Sequence, residues 1–178
     1  MPDFRIKIGA VLKLLYRVLI FSGIFFAIGN NVNAAEASYE IKLMTPETAL
    51  KAALAGMKEC RTLGYQITVA VVDRTGQTQV VLRDRFAGMH TIEAATNKAW
   101  TAVSFKTNTT QFASNTQSGK ESSGIRHLSK VLALGGGMMV EAGGNLYGAI
   151  GISGAPSGDE DDKCTKAAVA AILEDLEM

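Results

Sequence analysis

The chain has little of what metal, nucleotide and nucleic-acid proteins rely on: its 178 residues include two cysteines, two histidines, three prolines and one tryptophan. Cys60, His90, His127 and Cys164 have zinc-ligand chemistry. No two of them are close enough in sequence to form a knuckle or share a helical turn, which argues against a zinc site. No block of Lys and Arg supplies the electrostatic footprint of a nucleic-acid binder, and nothing marks a membrane-binding surface. The triplet Gly135-Gly136-Gly137 lacks the Lys-Ser/Thr of a phosphate loop, and no helix is expected after it. Gly151-Ile152-Ser153-Gly154-Ala155 lacks the last glycine of a hydrolase nucleophile elbow and runs into a proline-containing loop. Ser153 therefore reads as a strand end. Nor is there a repeat, a coiled-coil pattern or a Pro/Ser linker.

The N-terminus does carry a signal. Arg5, Lys7, Lys13 and Arg17 precede the apolar run Val18 to Ile28, and Val32-Asn33-Ala34 places small residues where a signal peptidase inspects them. This predicts a secretory signal peptide over 1–34 and a mature domain over 35–178, periplasmic or secreted, with an uncleaved anchor as the alternative. Cleavage would remove four basic residues and one acidic residue, taking the formal charge from +1 to about −2. The mature length suits one domain. Export would expose Cys60 and Cys164 to an oxidising compartment, where either one disulfide or two buried thiols is compatible with the sequence.

Thr45-Pro46-Glu47 offers an N-cap, a proline at the first helical position and an acid in the first turn. A helix is expected from about Pro46 to Leu63, with Leu50, Ala53, Leu54 and Met57 on its buried face. After Gly64, the run Ile67 to Val72 reads as a mostly buried strand, Asp73-Arg74-Thr75-Gly76 as a turn, and Gln77 to Arg83 as the return strand. A second, alanine-rich helix opens at Thr91, and its small residues would let it lie close to a sheet with Trp100 where that contact ends. Periodicity fails from Lys106 to Lys130, a stretch too long for a structureless connection, so it is either functional or built of short helices. Gly135 to Gly154 reads as a tight glycine-rich hairpin, and the acidic turn Asp159 to Asp162 leads into a last helix through Leu176. Tight turns impose antiparallel pairing. The fold class is α+β, a single antiparallel sheet flanked by helices.

Val69-Ala70-Val71-Val72-Asp73-Arg74-Thr75-Gly76, Arg83 with Ala87, Thr91-Ile92-Glu93 with Lys98-Ala99, the hairpin through Gly148-Ala149-Ile150-Gly151-Ile152-Ser153-Gly154, and Asp161 with Cys164 occur in this order over nearly all of the mature chain. Together they resemble the GlcG/HbpS family. The resemblance implies a profilin-like domain that forms homo-oligomers. It also implies an exported haem-binding protein engaged in non-covalent sequestration, transport or sensing, with a possible sensor or transport partner. Other relatives belong to glycolate-utilisation operons or are fused to cobalamin-processing enzymes, so a small-carboxylate (glycolate-like) binding accessory protein and an enzyme of haem degradation remain alternatives. Met139 departs from the family, where proline is typical, as does Gly143, where aspartate is common.

Haem needs an apolar slot, an axial donor and cations for its propionates. Met138, Met139 and Tyr147 are candidates for the slot, His127 and His90 for the iron, and Arg83, Arg85 and Arg126 for the propionates. His127 ranks above His90 because it lies between the long polar stretch and the glycine hairpin. Covalent attachment is excluded by the absence of Cys-x-x-Cys-His.

Overall fold

The computed structural model describes residues 39–177. The signal peptide expected over 1–34 lies outside them. Helix α1 spans Pro46–Thr62, with the Thr45 hydroxyl accepting from Thr48 N–H at 3.2 Å and Pro46 opening the first turn. Its buried stripe is Ala49, Ala52, Ala53, Gly56, Met57 and Cys60. Leu50 and Leu54, expected on that stripe, are 41% and 53% exposed. The correction has a steric cause, because a Cβ on Gly56 would already lie 2.9 Å from Ile152 Cδ1 and 3.0 Å from Ala168 Cβ, and leucines do not fit so close an approach.

Strands β1 (Thr68–Asp73) and β2 (Thr78–Arg83) form the first hairpin. In its turn the Asp73 carboxylate accepts from Thr75 N–H at 2.7 Å, Thr75 Oγ1 at 2.6 Å and Gln77 N–H at 3.1 Å. Helix α2 (Thr91–Phe105) follows, and Trp100 packs its indole against Gly76 in the first hairpin turn. The stretch without periodicity contains helix α3 (Thr109–Asn115) and a 3-10 helix (Glu121–His127). Strands β3 (Gly137–Ala142) and β4 (Asn145–Ser153) are the glycine-rich hairpin. The expected last helix is two, α4 (Gly158–Ala170), capped by Ser157, and α5 (Leu173–Glu177).

The sheet order is β2-β1-β4-β3 with every neighbouring pair antiparallel, so β1 pairs with a strand about 80 residues away in sequence. This is the α+β architecture expected from the turns. Val69, Val71, Ile150 and Ile152 pack with α1 and α4 in the larger core, while Val72 and Ala149 meet Ala99, Ala102 and Val103 of α2 in the smaller one. Helix α2 lies so close that a Cβ on Gly151 would stand 2.0 Å from Ala95 O. Cys60 and Cys164 form a disulfide with Cα atoms 5.4 Å apart, tying α1 to α4 across 104 residues and settling the choice the sequence leaves open. Among the described residues, no helix is long and apolar enough to cross a membrane.

Candidate functional site

A cleft of about 360 Å³ opens where β4 ends and α2 begins. Gly88, His90, Thr91 and Ala94 line it from the start of α2, Leu132 and Leu134 from the segment before β3. The turn Ser153 to Gly158 and Asp161 complete it. The turn is held from below. Lys98, in the buried stripe of α2, donates from Nζ to Asp161 Oδ2 at 2.7 Å and to Ile152 O at 2.9 Å, while Asp161 Oδ1 accepts from Ala155 N–H at 3.0 Å. Lys98 is fully buried and Asp161 3% exposed. A buried charge persists only when paired and hydrogen-bonded, and each member here supplies what the other needs.

The network continues through Asp162, whose Oδ1 accepts from Gly136 N–H at 2.6 Å and whose Oδ2 accepts from Thr110 Oγ1 at 2.5 Å. Gly136 has φ 110°, and a Cβ there would lie 2.5 Å from Ile152 O and 2.9 Å from Lys98 Nζ. Only glycine lets the backbone pass. Burial pushes the Asp161 carboxyl above the ordinary carboxylate range, and the Lys98 ammonium offsets this only in part. At the other corner, Thr68 and Thr91 hydroxyls meet at 2.7 Å, and Thr91 Oγ1 donates to Gly88 O at 2.6 Å.

A family model described as "Haem degrading protein HbpS-like" matches residues 44–170. The chain belongs to the HbpS-like family. A double mutant of Streptomyces reticuli HbpS superimposes with a TM-score of 0.72 at 35% identity, covering 78% of this chain and 92% of that one. The crystal structure of a PduOC:heme complex superimposes with a TM-score of 0.70 at 32% identity, covering 74% and 96%. The corrinoid adenosyltransferase PduO of Salmonella typhimurium is 36% identical over 120 residues, 66% of this chain and 35% of the relative, and PduO of Citrobacter freundii is 35% identical. The chain thus spans about a third of the length of these two curated relatives.

This HbpS-like domain distributes the sequence-derived site residues unevenly. His90 precedes α2, folds its ring over Gly88 and lines the cleft. His127 is exposed at the end of the 3-10 helix and is not among the lining residues. Arg83 donates from Nε and Nη2 to Ala87 O at 3.1 and 2.5 Å, and Arg126 donates to Thr116 Oγ1 at 3.0 Å and Ala113 O at 2.6 Å, so both guanidinium groups brace local backbone. Arg85 is exposed, with its guanidinium carbon 6.0 Å from the Phe86 ring centroid.

Met138 is buried in β3, and the Met139 N–H donates to Asn108 Oδ1 at 3.2 Å, a bond that a proline at this position could not make. Tyr147 is buried in the larger core, donates to Leu176 O at 3.1 Å, and faces a separate cleft of about 320 Å³ near Lys42, Thr45 and Asp175. The expected slot of Met138, Met139 and Tyr147 beside a histidine is therefore not assembled: none of the three lines the cleft that His90 lines. The disulfide removes both cysteines as thiolate ligands, and no cluster of three or more His, Cys, Asp or Glu occurs among the described residues.

Lys98 and Asp161 did not emerge as site residues from chemistry in the sequence. Both stand among the residues that carry the family resemblance, and the chemical signal for Lys98 is its place at the inward spacing of Ala95, Ala99 and Ala102.

Proposed function

We propose that this HbpS-like domain binds haem non-covalently at the cleft beside His90. The observation that carries the reading is a histidine in the wall of a cleft that presents Ala94, Leu132, Leu134, Ala155 and Pro156 beside the polar Thr91, Ser153, Ser157 and Asp161. That donor set suits a group with an apolar edge and a metal that accepts imidazole nitrogen. The family description and the haem complex of a relative at 32% identity support the same ligand. Haem, when bound, supplies a redox-active iron. This chain supplies the imidazole and the apolar walls, and Arg85, exposed on the loop before His90 and outside the cleft lining, is the cation offered to a propionate that extends beyond the cleft. At about 360 Å³ the cleft lies near the small end of ligand sites, roughly 300–1,000 Å³, so it would grip one edge of a macrocycle and leave the rest at the surface.

Export to the periplasm or medium, homo-oligomerisation, and delivery to a sensor or transport partner belong to the same proposal. The signal-type N-terminus and the Cys60–Cys164 bond support export, because disulfides persist in oxidising compartments. The cleft volume favours a second reading, a small carboxylate bound whole; an arginine clamp for it is missing from the cleft lining. Haemin titration of the purified protein tests the main reading. A saturable Soret shift at one haem per chain is expected, and its absence rejects haem as the ligand.

A further inference from the structure

Resting on the haem reading, we infer that the rigid loop from Arg85 to Met89 is a platform for the flat face of a tetrapyrrole, with Phe86 and Met89 as its contact side chains, and that it binds the macrocycle whether or not iron is present. Phe86 is 79% exposed and Met89 89% exposed, although both belong to a segment fixed at several points. At its base the buried Asp84 carboxylate accepts from Arg61 Nε at 2.9 Å, and Ala87 N–H donates to Asp84 O at 3.1 Å. The Arg83 guanidinium closes on Ala87 O, and Thr91 N–H donates to Gly88 O at 3.1 Å.

A loop tied down this way does not expose its apolar groups through looseness. Exposure alone is common in this chain, as at Leu54 and Leu128, but Phe86 and Met89 are the more exposed and share one fixed loop beside the cleft, where a flat ligand could cover both. The neighbouring chemistry selects the occupant: Arg85 stands beside the Phe86 ring, and Gly88 and His90, which flank Met89, line the cleft. Within six residues the loop therefore offers a cation, an aromatic face, a thioether and an imidazole. A tetrapyrrole with propionates complements this set with an anionic edge and a broad π face, and with a metal where the macrocycle carries one.

Iron-free protoporphyrin IX separates the platform from the metal bond. The full chain and the variants F86A, M89A, F86A/M89A and H90A are titrated with protoporphyrin IX by porphyrin fluorescence and with haemin by absorbance, and their masses are compared by light scattering without ligand. Each loop truncation should weaken both ligands about two- to tenfold, and the double variant more. H90A should weaken haemin by a larger factor than protoporphyrin IX, because it removes the metal donor as well as part of the cleft wall; an equal loss of both ligands overturns the separation of platform from metal bond. Wild-type protein that binds haemin but not protoporphyrin IX overturns the platform and leaves the haem reading standing, whereas binding of neither overturns both. Unchanged affinities in F86A/M89A overturn the platform, and a loss of oligomer mass with those affinities intact assigns the loop to contact with a second copy instead.

Discussion

Replacing Lys98 with methionine should be among the most damaging single changes in this domain. Methionine keeps much of the side-chain length but removes the ammonium that bonds Asp161 Oδ2 at 2.7 Å and Ile152 O at 2.9 Å. Asp161 would stay 3% exposed, next to the Asp162 carboxylate, with Ala155 N–H as its remaining partner. Breaking one side of a buried pair costs about 3–5 kcal/mol. For a domain of this size that corresponds to a fall in Tm of roughly 10–20 °C. The pH dependence has a definite sign. The Asp161 carboxyl is raised above its unfolded value, so the penalty for keeping it ionised is full at neutral pH and is relieved as pH falls through the folded value toward the unfolded one. Without Lys98 that penalty grows, so the deficit of K98M should be larger at pH 7 than near pH 4.5. K98M/D161N should recover more than half of the loss, because asparagine can still accept from Ala155 without carrying a charge. Urea unfolding followed by Trp100 fluorescence at both pH values reads all three quantities. A K98M loss below about 1 kcal/mol, or one independent of pH, would show that the Lys98–Asp161 pair does not hold the fold as a buried ion pair.

Other consequences are equally specific. Reducing the Cys60–Cys164 bond, or replacing both cysteines with alanine, should lower stability by about 2–5 kcal/mol in denaturant titrations, since it opens a 104-residue loop. G151A should unfold the domain or cost more than about 3 kcal/mol, since the new Cβ would stand 2.0 Å from a backbone oxygen; near-wild-type melting contradicts the reported packing of α2. At Asp73 burial alone would raise the carboxyl, but bonds from the Thr75 hydroxyl and from the Gln77, Thr75 and Gly76 amides hold it below its ordinary value. Its contribution is therefore present above the unfolded carboxylate pKa, near 3.9, and is lost as pH falls through the lower folded value, so the deficit of D73N should shrink over that acidic window in pH-dependent melts.

The sheet was legible because its signals are local. Alternation in 67–72, the Asp73 turn and the paired glycines at 143 and 144 each specify a strand or a reversal without reference to distant residues. Hydrophobicity points to Leu50 and Leu54 as the buried face of α1, whereas the approach of α4 selects the alanine and glycine stripe. Length alone pointed to short helices between 106 and 130, but their positions were not legible, because α3 buries only Thr109 and Phe112 and the 3-10 helix buries nothing, leaving no apolar period to read. The site was least legible. Its polar floor joins Lys98 to Asp161 across 63 residues, and its wall uses His90 rather than the histidine beside the glycine hairpin. Such proximity arises only when β1 pairs with β4 and brings the start of α2 to the end of the sheet.

Haem placement at the His90 cleft is tested most directly by comparing haemin complexes of wild-type, H90A and H127A proteins by absorbance and electron paramagnetic resonance. H90A should lose the imidazole signature, shift the Soret band and bind haemin more weakly, whereas H127A should retain the wild-type spectrum and affinity. An unchanged H90A spectrum, with or without a change in H127A, would contradict the placement of haem at this cleft.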